Sequence, residues 1–137
     1  MDPERMHQIG DVATTVGLSV RTIRHYDQMG VVPPSGRTTG GFRLYTDDDI
    51  ERLRLIKYMK PLEFSLEEMA DLLRVRDRLA QGVEDETSRR ELLDRLAMFA
   101  AAAEERCERL RDQLRFAEGF ADTVRREATR LEGTVAK

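Results

Sequence analysis

The C-terminal part of the chain carries a long and regular repeat of apolar residues. Between residues 93 and 131, twelve apolar positions alternate three and four residues apart without interruption. A mean spacing of 3.5 residues places these side chains along one stripe of an α-helix and is typical of a coiled coil. A continuous helix over this stretch would extend roughly 58 Å. We therefore expect a second copy of the chain to cover the stripe.

Eight residues are predicted to form the main part of this dimer seam: Leu93, Leu96, Ala100, Ala103, Cys107, Leu110, Leu114 and Ala117. Cys107 is the only cysteine, which excludes a disulfide within one copy and a thiolate-rich metal site. A small apolar residue suits such a seam, although a redox switch between the two copies is an alternative for Cys107. Gly119 costs about 1 kcal/mol in a helix interior, so a break is expected near this residue.

The N-terminal part has the pattern of two short helices. Residues 9–16 place apolar side chains on one helical face, and Gly17 offers the left-handed conformation that ends a helix. Ser19 is a favourable N-cap for a second helix over residues 20–29, which Gly30 would end in the same way. Two helices joined by about three residues, with glycine in the joint, match a helix-turn-helix unit.

A small β-wing is predicted after the second helix. Pro33, Pro34 and Gly36 prevent a helix, and the Gly40–Gly41 pair suits a tight hairpin. Aromatic residues then favour extended backbone, and Phe42 among them is expected to be a core residue.

Two further helices complete the N-terminal part. Thr46 and the three aspartates after it start a third helix, which Pro61 stops, and residues 65–68 form a capping box for a fourth. The predicted fold class is mainly α: a winged helix-turn-helix of four short helices plus a small β-wing, followed by a long dimerisation coiled-coil helix. The predicted domains are the winged domain at residues 1–78 and the coiled-coil helix with a short tail at residues 79–137.

Basic residues are concentrated around the second helix and the wing. The net charge is −3, but residues 21–45 contain four arginines and one acid, Asp27, a local balance of +3. Phosphate contacts depend on local cations rather than on the charge of the whole protein. The inward side of the second helix is expected to be Val20, Ile23, Met29 and part of Tyr26. Its outward side chains can donate to phosphates or base edges and are Arg21, Thr22, Arg24, His25 and Gln28.

The wing provides a second group of candidate DNA contacts. Arg37 and Arg43 flank the hairpin turn, with Thr38 and Tyr45 nearby. A hairpin with two guanidinium groups beside a recognition helix can bind the adjacent DNA backbone or a minor groove. The alternative is that these arginines are ordinary surface residues.

Several joined motifs resemble the MerR family of bacterial transcription regulators. The resemblance covers about residues 8–73 without a gap, and the order of wing and dimerisation helix agrees as well. The segments that carry it are Ile9-Gly-Asp-Val-Ala, Leu18-Ser-Val-Arg-Thr-Ile-Arg-His-Tyr26, Gly30-Val-Val-Pro-Pro34, Arg37-Thr-Thr-Gly-Gly-Phe-Arg-Leu-Tyr45 and Phe64-Ser-Leu-Glu-Glu-Met69.

The resemblance implies a homodimer with antiparallel paired helices whose two winged domains bind two half-sites of a palindromic promoter. Family members typically bend and underwind an over-long promoter spacer so that RNA polymerase engages both promoter elements. The family's recognition-helix contacts would fall on Arg21, Thr22, Arg24 and Tyr26, and its wing contacts on Arg37, Arg43 and Tyr45. Two departures are His25, where the family usually has an aromatic residue, and Glu63, where it often has glycine.

Family members often sense an effector through residues outside the DNA-binding part. Metal sensing is not predicted, because a single cysteine and histidines at positions 7 and 25 give no thiolate or imidazole cluster. Four apolar residues off the seam are expected to cover the partner's winged domain or, alternatively, to line a pocket for an apolar small-molecule effector: Met98, Phe99, Phe116 and Phe120.

Other functional classes have less support in the sequence. A coiled-coil adaptor whose winged domain binds protein is the main alternative, and the cationic outward face of the second helix argues against it. Groupings typical of enzymes or of cofactor binding do not occur, so neither catalysis nor a cofactor is predicted. The sequence has no apolar run of about 18 residues and no secretory signal at its start, so a cytoplasmic location is expected.

Overall fold

A computed structural model describes residues 5–135 of the chain, which is mainly α-helical with a small antiparallel sheet, as predicted. Within these residues, three short strands and four α-helices precede one long C-terminal helix. The elements are β1 His7–Gln8, α1 Ile9–Val16, α2 Val20–Gln28, β2 Gly36–Arg37, β3 Arg43–Tyr45, α3 Asp47–Met59, a 3-10 turn Lys60–Leu62, α4 Leu66–Gln81 and α5 Glu86–Val135.

The helix-turn-helix forms where the sequence predicts it. Gly17 ends α1 in the left-handed conformation with a φ of 81°, and the Nζ of Lys57 donates to the Val16 carbonyl at 2.9 Å. Ser19 caps α2, because its Oγ accepts from the backbone N–H of Thr22 at 3.0 Å. These contacts fix the start of α2, which is the predicted recognition helix.

The wing is part of a three-stranded sheet with β3 in the middle. β3 pairs with β2, placing Arg37 opposite Arg43, and its other edge pairs with β1, placing His7 opposite Tyr45. β1 was not predicted from the sequence. The prediction that Phe42 lies in the core is wrong: Phe42 precedes β3 in the hairpin turn and is 71% exposed, while Tyr45 occupies the inward position.

The third and fourth helices begin with the predicted caps. Thr46 and Asp49 form a reciprocal capping box at α3, and Ser65 and Glu68 form another at α4. Asp49 is buried and also accepts a 2.6 Å hydrogen bond from Ser35, so the cap of α3 is connected to the start of the wing.

The chain divides into two compact units, residues 1–97 and 98–137. The predicted boundary at residue 78 lies inside α4, which continues to Gln81. The first turns of α5 belong to the first unit, where Leu92 is buried and Arg95 pairs with Asp71 of α4. The hydrogen bond from Arg95 holds the pKa of Asp71 below its ordinary value. The largest fully buried side chains of this unit are Val12, Ile23, Val32, Tyr45, Leu53, Ile56, Leu73 and Val75.

In the second unit α5 continues as one helix. The break expected near Gly119 does not occur, because a cost of about 1 kcal/mol at one position is small beside the helix-forming residues on both sides. Ion pairs between residues one turn apart, such as Arg126 with Asp122, lie on its solvated faces. Within residues 5–135, no helix is long and apolar enough to cross a membrane.

Candidate nucleic-acid interface

The outward face of α2 presents four of the five predicted donors to solvent. Arg21, Arg24, His25 and Gln28 are exposed, while Thr22 is half-buried. The Thr22 hydroxyl accepts a 2.8 Å hydrogen bond from the Ser19 hydroxyl, so it takes part in the cap at the start of α2. The exposed side chains lie within about two turns of one short helix, an arrangement that suits insertion into a DNA major groove.

Two residues of α2 are placed differently from the prediction. Met29 was expected to face inwards but follows the last turn of α2 and is 55% exposed. Tyr26 was predicted as a DNA contact and only partly inward, yet it is 3% exposed and belongs to the core with Ile23. Burial raises the pKa of the Tyr26 hydroxyl. The helical spacing of residues 23 and 26 puts both side chains on the inner face.

The wing arginines are held by an acid of the recognition helix. The Nε of Arg43 donates to Oδ2 of Asp27 at 2.7 Å, and the Nη2 of Arg37 lies 3.7 Å from the same oxygen. Arg43 is 22% exposed, whereas half of the Arg37 side chain is exposed. Of the two wing arginines, Arg37 is therefore the one that faces solvent, and Arg43 connects β3 to α2. From the sequence, Asp27 entered only as one negative charge among the arginines of residues 21–45.

The hairpin turn is closed by the other polar residues of the wing. The Thr38 hydroxyl accepts from the Phe42 N–H at 3.1 Å, and Arg37 donates to the Gly41 carbonyl at 3.0 Å. These bonds give Thr38, a predicted DNA contact, a role in the shape of the turn. Tyr45, another predicted contact, has no exposed surface in the single chain. The alternation of side chains along β3 turns it into the core.

The Tyr45 hydroxyl is buried without a hydrogen-bond partner among the residues that the structure describes. Its pKa is raised, mainly by burial and further by the negative charge of Asp27. An unpaired hydroxyl in a core lowers stability by about 1–3 kcal/mol.

A groove of about 680 Å³ runs along the outward face of α2. Its opposite wall comes from the 3-10 turn and the start of α4, with Lys60, Phe64, Leu66 and Met69. Together with Arg21 and Arg24, Lys60 makes the groove cationic, and among the described residues no carboxylate side chain lines it. Lys60 was not among the residues predicted from the sequence to contact DNA. A lysine beside the helix-stopping Pro61 was the available signal.

The predicted seam residues fall into two groups. Leu93 and Leu96 are partly covered within the first unit. In the second unit Ala103 and Cys107 are partly covered, while Ala100, Leu110, Leu114 and Ala117 are exposed. An isolated helix that exposes large apolar residues on successive turns has a face suited to a partner.

The four apolar residues off the seam are mostly open to solvent. Met98, Phe116 and Phe120 are exposed, with 82% exposure at Phe116, and Phe99 is partly covered. Phe116 and Phe120 lie one turn apart on α5 and so share a face. Within the part of the chain that the structure describes, no three His, Cys, Asp or Glu side chains form a cluster that could hold a metal ion.

The comparisons with known proteins agree with this architecture. Residues 8–75 match the MerR helix-turn-helix family of regulatory proteins. The HTH-type transcriptional regulator ZntR of Escherichia coli K12 is 41% identical over 71 residues, 52% of this chain and 50% of ZntR. The chain spans from 26% to 61% of the lengths of the curated relatives that it matches.

Two solved structures are similar to this chain. The N-terminal part of MtaN, the multidrug transporter activator of Bacillus subtilis, is 30% identical and covers 79% of this chain and 97% of its own, with a TM-score of 0.47. HiNmlR, a MerR family regulator that lacks the sensor domain, has 24% identity and a TM-score of 0.57 over 87% of this chain and 92% of its own, and shows the fold. The chain belongs to the MerR family of helix-turn-helix transcription regulators.

Proposed function

We propose that the chain is a sequence-specific DNA-binding regulator that acts as a homodimer at a palindromic promoter site. The observation that carries this proposal is the groove beside α2, where Arg21, Arg24 and Lys60 give a positive charge that no described lining carboxylate offsets. Cations grouped along an exposed helix attract phosphates, and their arginine and amide side chains can read base edges. HiNmlR was solved bound to promoter DNA, which supports the same use of the fold here.

The proposed DNA contacts are of two kinds, contacts to base edges and contacts to phosphates. Arg24 is exposed in the middle of α2 and is proposed to reach a base edge, with His25 and Gln28 beside it. Arg21 and Lys60 are proposed to bind phosphates at the two walls of the groove. In the wing, Arg37 is the proposed phosphate contact because its side chain is half exposed. Phosphate contacts fix the position of the protein on the duplex, and base contacts specify the sequence.

The homodimer is proposed from the exposed apolar stripe of α5. Leu110, Leu114, Val124 and Leu131 are 41–58% exposed and recur at coiled-coil spacing. A second α5 packed antiparallel would cover them, and burial of a leucine side chain contributes about 1.5–3 kcal/mol. Phe116 and Phe120 are proposed to extend this interface or to contact an apolar effector.

The regulatory mode is proposed from the family resemblance alone. Two heads bound to a palindrome would bend and underwind the promoter spacer so that RNA polymerase engages both promoter elements. Such a protein would act in the bacterial cytoplasm.

The site assignment is tested with the variant Arg24→Ala in the full-length chain. Duplexes are first selected from random DNA by the wild-type protein, and fluorescence anisotropy then measures binding at rising salt. Loss of a bidentate arginine–guanine contact costs about 1–3 kcal/mol, so we expect roughly 5- to 150-fold weaker binding to the selected duplex with unchanged thermal unfolding.

Arg126→Ala is the matched control, because Arg126 carries the same charge on α5, outside the winged unit, and is expected to leave affinity unchanged. Equal affinity of the Arg24→Ala variant and the wild type would contradict the site. Absence of salt-sensitive binding to any duplex would favour the adaptor, in which the winged unit binds protein.

A further inference from the structure

Asp27 lies where the recognition helix and the wing meet. It is in the last turn of α2, and its carboxylate is 15% exposed. One oxygen, Oδ2, contacts the guanidinium groups of Arg43 and Arg37, which are directly opposite each other on β3 and β2. A single carboxylate therefore holds both strands of the hairpin against the helix.

The two arginines differ in what they can still do. Arg43 makes a short, charge-assisted bond through Nε and is mostly covered, so Asp27 neutralises it. Arg37 is farther from Asp27, is half exposed, and is oriented by its bond to the Gly41 carbonyl. The two guanidinium groups and the one carboxylate have a net charge of +1. Because Arg37 is more exposed than Arg43, this charge is assigned to Arg37.

We propose that Asp27 is a positioning residue that sets the discrimination between cognate and non-cognate DNA by holding the wing arginines at a fixed place beside the recognition helix. The inference rests on the proposed DNA binding. With Asp27 in place, the wing arginines bind phosphates only on a duplex to which the side chains of α2 also bind. Without it, Arg43 is unpaired and both arginines are free to bind the phosphates of any duplex, which raises sequence-independent affinity.

The test compares Asp27→Asn with the wild type, both as full-length chains. Fluorescence anisotropy measures binding to a duplex selected by the wild-type protein and to a scrambled duplex of the same composition. We expect weaker binding to the selected duplex, stronger binding to the scrambled one, and a ratio of affinities that falls about tenfold. The salt dependence on the scrambled duplex should become steeper by about 0.9 for each additional phosphate that the variant neutralises.

Asp48→Asn is the charge control. Asp48 is an exposed acid in the first turn of α3, so its loss changes the net charge equally without freeing the wing. Asp27→Glu retains the charge and is expected to restore most of the discrimination. Arg43→Lys retains the positive charge but lacks the guanidinium Nε donor, and it is expected to lower the ratio as well. It provides the test if the Asp27→Asn variant does not fold.

Three results would overturn the inference. One is an unchanged ratio in the Asp27→Asn and Arg43→Lys variants. Another is an Asp48→Asn variant that loses as much discrimination as Asp27→Asn. The third is an equal loss of affinity for both duplexes. Failure of the proposed function is distinguishable, because the wild-type chain itself would then show no salt-sensitive binding to either duplex.

Discussion

At the scale of single residues, the hydroxyl of Tyr45 is the group whose removal has the clearest expected effect. It is buried without a partner among the described residues, while the ring fills the core beneath the wing. Tyr45→Phe retains the ring and removes the unsatisfied hydroxyl, so we expect the free energy of unfolding to rise by about 1 kcal/mol. Urea unfolding at neutral pH measures this change.

The same variant has an expected pH dependence. Burial raises the pKa of Tyr45 in the folded chain above its ordinary value. The wild type therefore loses stability as the pH rises through the ordinary tyrosine pKa, because the unfolded chain releases this proton first. Tyr45→Phe should reduce that alkaline loss. Tyr58→Phe, at a largely exposed position, is the control. It should change neither the free energy of unfolding at neutral pH nor the loss of stability at alkaline pH. Lower stability of Tyr45→Phe at neutral pH would contradict the assignment.

Residue types predicted the outward face of α2 better than they predicted the roles of individual wing residues. Helical spacing alone places Arg21, Arg24 and Gln28 on the outward face of α2, regardless of which elements lie nearby. The presence of an arginine in the sequence does not show whether its side chain binds a phosphate or forms an ion pair within the protein. For Arg43 the ion pair depends on a carboxylate sixteen positions away. The burial of Tyr45 likewise depends on the direction of a three-residue strand.

At the scale of elements, strong local signals were sufficient for the helices. Caps at Ser19, Thr46 and Ser65 act within three residues, so the starts of α2, α3 and α4 follow from the sequence. β1 has no such signal. His7 and Gln8 become a strand because the free edge of β3 offers hydrogen-bond partners, which is a tertiary effect.

Gly119 in α5 gives a prediction for an element. A Cβ built there meets nothing within 4 Å, and the residue is helical. Gly119→Ala is expected to stabilise the helix by about 1 kcal/mol, which thermal unfolding followed by circular dichroism at 222 nm measures. Gly30→Ala is the matched control, because a Cβ added at Gly30 likewise meets nothing within 4 Å, but the φ of Gly30 is 74°. It should destabilise, so equal shifts in the two variants would contradict the backbone argument.

At the scale of the whole molecule, the apolar stripe of α5 is the surface through which the proposed dimer would form. Leu110 and Leu114 are one turn apart, and both are more than 40% exposed in the single chain. A carboxylate placed among such residues loses its hydration when the partner helix packs on it and finds no compensating cation in the predicted seam. Leu110→Asp is therefore expected to give monomers in sedimentation velocity experiments at concentrations where the wild type is dimeric.

Ala101→Asp is the control: it adds the same negative charge to α5 at a position outside the predicted seam. Ala101 is exposed on α5, and at about 100° per residue it lies on the side of the helix opposite Leu110. Ala101→Asp should leave the dimer intact. Leu110→Asp monomers should bind a palindromic duplex more weakly, because each winged domain then binds its half-site alone. A stable Leu110→Asp dimer would mean that the copies associate through another surface, with Phe116 and Phe120 the next residues to substitute.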